Sequence, residues 1–145
     1  MERRALPIEV LESKANPPSR DIHVTALGFP LGLGAEGEFL PLCRESKVSS
    51  GFLKDGASLF FLLQDPSVSG YSGGPIIEPG DPRIVGIQIL QGGTRCWGFV
   101  SGTFGDESGG KMCKVVPAFY AVELVREISA VLRIVDVSSP TPEKK

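Results

Sequence analysis

Histidine is almost absent from this chain: His23 is the only one among 145 residues. That leaves no histidine cluster for a metal, and it gives any imidazole-based acid–base chemistry a single candidate. Cysteine is nearly as scarce. Cys43, Cys96 and Cys113 lie far apart, without CxxC spacing, which argues against a zinc site. Their odd number reads as ordinary thiols, although one pair could bridge in an oxidising compartment. Long apolar runs are missing as well. No stretch approaches the roughly 20 residues of a membrane span, so no membrane partner is expected. Met1-Glu2-Arg3-Arg4 is basic, but no long apolar segment follows it, so it does not read as a signal peptide. The net charge is −2 and there is no dense basic patch, so nothing predicts nucleic-acid binding.

Glycine and proline are plentiful instead, 18 and 12 residues, about a fifth of the chain. Short apolar runs between such breakers favour an all-β domain over a helical bundle. Residues 1–20 read as an entry segment ending in the Pro-rich link Asn16-Pro17-Pro18-Ser19. Ile22 to Leu27 predicts a first strand, and Gly28 to Gly34 a turn of repeated breakers. Phe39 to Leu53 can supply a long, bent strand. Leu59-Phe60-Phe61-Leu62-Leu63 is an apolar run of strand length. Pro75 to Ile77 starts another strand, and Glu78-Pro79-Gly80-Asp81-Pro82 turns it back. Arg83 to Leu90 is then the expected return strand. Residues 91–110 hold seven glycines and predict a long surface loop, with a short hairpin possible around Cys96 to Val100. Lys111 to Val116 is the expected last strand. From Ala118 the period changes: Ala121, Leu124, Val125, Ile128, Val131 and Leu132 recur at helical spacing. The domain is expected to span 21–135, and residues 136–145 to form a disordered polar tail.

One block stands apart from these generic signals. In Gly70-Tyr71-Ser72-Gly73-Gly74-Pro75 a serine has glycine at −2, +1 and +2. A nucleophilic serine needs a sharp backbone that projects its hydroxyl, with unobstructed N–H groups beside it to hold an oxyanion. Glycines at these places allow both. The block resembles the Gly-x-Ser-Gly-Gly-Pro signature of trypsin-like, chymotrypsin-fold serine peptidases, on their HtrA-related branch. Ala26-Leu27-Gly28-Phe29-Pro30-Leu31-Gly32, Val48-Ser49-Ser50-Gly51, Val85-Gly86-Ile87 and Val115-Val116-Pro117 followed by a helix are similar to further family segments. The likeness covers about residues 20–130.

The resemblance implies a six-stranded antiparallel barrel with a C-terminal helix, the second of the family's two barrels. It implies peptide-bond hydrolysis through an acyl-enzyme on Ser72, without metal or organic cofactor, with a polypeptide as substrate. Gly70 and Ser72 would supply the oxyanion N–H donors. Ile89-Leu90-Gln91 would be the strand edge that pairs with an extended substrate, an ordinary core or edge strand being the alternative. The family's catalytic histidine, in a Thr-Ala-x-His context, and its aspartate belong to the first barrel, and neither context occurs here. That N-terminal barrel, in cis or in trans, is therefore the expected partner; an inactive relative that serves as a peptide-binding or structural module is the alternative. Asp21 could orient His23 across one strand face, yet the resemblance puts His23 on the first strand, away from the serine, as a surface or rim residue. Asp65 could line a specificity pocket, but Pro66 stands at the position resembling the pocket floor of trypsins, and no basic specificity is expected. Trp97 reads as a loop anchor.

Overall fold

Among the described residues, nine strands and one long helix follow one another, and a seven-stranded antiparallel sheet organises most of them. The computed structural model describes residues 6–36, 40–80, 82–85, 88–91 and 93–138. The strands are β1 (His23–Gly28), β2 (Leu42–Lys47), β3 (Leu53–Asp55), β4 (Ser58–Leu63), β5 (Pro75–Glu78), β6 (Pro82–Val85), β7 (Gln88–Gln91), β8 (Arg95–Gly105) and β9 (Lys111–Pro117); α1 is Ala118–Ser138. The large sheet has the order β2-β1-β5-β8-β9-β4-β3, while β6 and β7 form a separate two-stranded ribbon.

The period of two decides which side chains enter the core. Along β1, Val24 and Ala26 are buried while His23 is exposed, because successive residues of a strand point to opposite faces. β4 departs from alternation: Phe60, Phe61, Leu62 and Leu63 are all buried. Its inner face joins Val24, Val48, Ile76, Val100 and Val115 in the core. Its outer face is roofed by Phe104, whose ring lies 5.9 Å from that of Phe60, and by the Lys114 ammonium over the same ring. A strand covered on both sides reads as a continuous apolar run, which is why this segment was the plainest in the sequence. The start of α1 is anchored by Ala118, Phe119 and Val122, all buried. Phe119 packs on Phe52, and the Leu59 N–H donates to the Tyr120 hydroxyl at 2.8 Å.

The expected closed, six-stranded barrel is corrected to an open sheet of seven strands. β3, a short hairpin partner of β4, adds the seventh. The chain just beyond β2 does meet β4, next to the far end of the sheet, but among the described residues through one isolated bridge, Val48 with Leu63. Ser49 donates its N–H to the Leu62 carbonyl and Gln64 to the Lys47 carbonyl. The reason is visible beyond β2: after the bridge at Val48 the chain leaves extended pairing for an irregular segment, 49–52, that bends at Gly51, so the bridge does not grow into a ladder.

The segment 39–53 is likewise two strands, β2 and β3, rather than one bent strand; Phe39 lies outside the described residues. The larger revision concerns the partner of β5. β5 pairs with β8, Pro75 opposite Phe99 and Ile77 opposite Cys96, not with 83–90. β8 is an eleven-residue strand where the glycines predicted a loop. Gly98 explains part of this: a Cβ there would run into the Val116 carbonyl of β9, so the strands meet closely only because that side chain is missing. Trp97 is not a loop anchor but a core residue of β8, and its Nε1–H donates to Glu78 of β5 at 2.7 Å. The entry segment joins the same strand, with Leu11 bridging Cys96 in parallel and the Glu12 N–H bonded to the Cys96 carbonyl. The helix continues to Ser138, so 136–138 are helical; the rest of the expected tail lies outside the described residues.

Candidate active site

Two consecutive tight turns carry the serine. The Tyr71 N–H donates to the Val68 carbonyl, and the Gly74 N–H to the Tyr71 carbonyl at 2.8 Å. The third residue of each turn is a glycine at positive φ, Gly70 at +97° and Gly73 at +81°, the place where a type II turn requires one. Tyr71 belongs to both turns and is buried, whereas Ser72 beside it is exposed. The pair of turns thus fixes the backbone from the inside and leaves the serine hydroxyl outside.

The turns are held from two sides. Toward β8, the Gly73 N–H donates to the Val100 carbonyl at 2.7 Å, and the Val100 N–H donates back to the Gly74 carbonyl at 2.9 Å. Toward β1, the Phe29 N–H donates to the Gly70 carbonyl at 2.9 Å. A Cβ on Gly70 would lie 2.5 Å from Pro30 Cα and 2.7 Å from the Phe29 carbonyl oxygen. A Cβ on Gly28 would in turn lie 2.7 Å from the Gly70 carbonyl oxygen. The two glycine-bearing motifs of the sequence therefore interlock. Gly70 is required twice over, by its φ and by the backbone packed against it. With Tyr71, Gly73 and Gly74 engaged, the N–H groups of Gly70 and Ser72, like those of Val68 and Ser69 before them, bond to no backbone carbonyl among the described residues.

On the Tyr71 side of the serine lies a small cavity, lined by Pro66, Val68, Tyr71, Val100 and Cys113 together with Arg44, Ser46 and Asp65. Burial pushes the Cys113 thiol up to about 11, against the smaller opposing pull of the Arg44 charge, so it is a neutral, inert wall. The Asp65 carboxylate accepts the Ser46 hydroxyl at 2.8 Å, and the Asp65 N–H donates to the same oxygen at 3.3 Å. The loop is further tied to β8 by the Thr103 hydroxyl, which donates to the Ser67 carbonyl.

His23 stands apart from all of this. Its Nδ1 pairs with Glu45 Oε1 at 2.8 Å, both side chains largely exposed, and not with Asp21. β1 pairs with β5 through Thr25–Ile77 and Ala26–Ile76, which brings the Gly28 end of the strand to the turn. His23 is at the other end, five residues away, or about 17 Å at a strand rise of about 3.4 Å per residue. A general base must lie within about 3 Å of the hydroxyl, or one water away.

Ile89, Leu90 and Gln91 lie in β7, opposite Ile84, Arg83 and Pro82 of β6, outside the seven-stranded sheet. Gly86 and Ile87 are outside the described residues. The strand that borders the turn is β8, and its register shifts just past the contact, between Val100 and Gly102. Val100 to Thr103 are thus site residues that sequence reasoning missed. The signal for them was the aromatic and β-branched spacing of Trp97, Phe99, Val100, Thr103 and Phe104, which the glycines obscured. Among the described residues, no group of three or more His, Cys, Asp or Glu could hold a metal ion, and no helix is long and apolar enough to cross a membrane. No family model, no curated protein and no solved structure matches the chain.

Proposed function

We propose that this chain is the nucleophile-bearing half of a trypsin-like serine peptidase, which cleaves peptide bonds through an acyl-enzyme on Ser72. The observation that carries this is the doubled turn. It leaves Ser72 exposed and the Gly70 and Ser72 N–H groups without backbone partners, so both are free to donate to an oxyanion. The sheet whose β4 meets the chain beyond β2 at Val48 and Leu63 gives further support, as the shell of such a half without its closing ladder. The base and its orienting carboxylate come from an N-terminal barrel outside these 145 residues. The cavity beside Tyr71, with room of about 20 Å³, offers no free carboxylate to a basic side chain, since Asp65 already holds the Ser46 hydroxyl.

Without a base, a serine hydroxyl is a weak nucleophile at neutral pH, and an oxyanion site with binding alone retains roughly 10³–10⁴-fold over water. A fluorophosphonate probe is therefore expected to label the chain poorly and to label it strongly once the N-terminal barrel is supplied. Ser72→Ala should abolish the labelling. Strong labelling of the chain by itself, lost on His23→Ala, would contradict the division of labour. A second function, peptide binding without chemistry, is favoured by the distance of His23 from the serine. It predicts peptide affinity with no labelling under either condition.

A further inference from the structure

We draw no further inference here: the strongest candidate, the exposed apolar face of α1 along Leu124, Val125, Ile128, Val131 and Leu132, carries nothing because nothing in the structure shows what covers it.

Discussion

Gly70 and Ser72 are two residues apart, and they should respond to substitution in opposite ways. Gly70→Ala places a Cβ at φ +97° against the Phe29–Pro30 backbone. The dihedral alone costs about 1–3 kcal/mol, and the backbone clash adds to it. A loss of at least about 2 kcal/mol in urea unfolding is expected. Ser72→Ala removes an exposed hydroxyl and should stay within about 0.5 kcal/mol of the parent. If both variants unfold like the parent, the turn is not clamped by β1 as described. The contrast separates what builds the site from what does its chemistry. The serine turn was legible in the sequence because its requirements are local: an exposed hydroxyl needs a tight turn, and a tight turn needs glycine. The clamp was not legible. Nothing local says that Phe29 and Pro30 are what Gly70 must avoid, because that contact is made by the fold.

Elements were readable to the degree that their burial left a pattern. The buried run of β4 and the helical spacing after Ala118 announced themselves. The choice of partner for β5 did not. Both 83–90 and 95–105 offer residues suited to a strand, and pairing is decided by non-local terms: the Trp97–Glu78 bond, the buried Cys96 and Val100, and the close passage of Gly98 past Val116. Glycines that serve close approach look, in sequence, like glycines that serve a loop. The helix carries a related lesson. Its apolar stripe is real, but Leu124, Val125, Ile128, Val131 and Leu132 are each between 43% and 60% exposed, and the buried helix residues among those described, Ala118, Phe119 and Val122, all lie in its first turns. Ile128→Glu should therefore leave stability within about 0.5 kcal/mol of the parent. Val122→Ala, at a buried position, should cost about 2 kcal/mol. Thermal unfolding of the two variants side by side checks this. A large loss from Ile128→Glu would mean that the stripe is covered in solution.

For the molecule as a whole, the meeting of β4 with the chain beyond β2 sets the place of least resistance. Elsewhere, neighbouring strands share ladders, such as the seven paired positions of β8 with β9. Between the end of β2 and β4 there are two backbone hydrogen bonds, Ser49–Leu62 and Gln64–Lys47, around one bridge, and beside them the Leu62 N–H on Ser50 Oγ and the Ser46–Asp65 pair of bonds. At about 0.5–1.5 kcal/mol each, the two backbone bonds contribute about 1–3 kcal/mol, and the joint otherwise rests on side chains. The amides of Ser49 and Gln64 should accordingly exchange with solvent well before those of Val115 and Val116, by hydrogen-exchange NMR; equal protection would mean a continuous cylinder. The seam also has a bearing on what the site can hold. Arg44 and Ser46 on β2 and Leu63 on β4 all line the cavity beside Tyr71, so the joint runs through the cavity wall. A pocket bounded by unbroken ladders has one size. A pocket whose wall is a seam is set instead by a few side-chain and backbone bonds, so its width is the dimension of this molecule least fixed by the sheet.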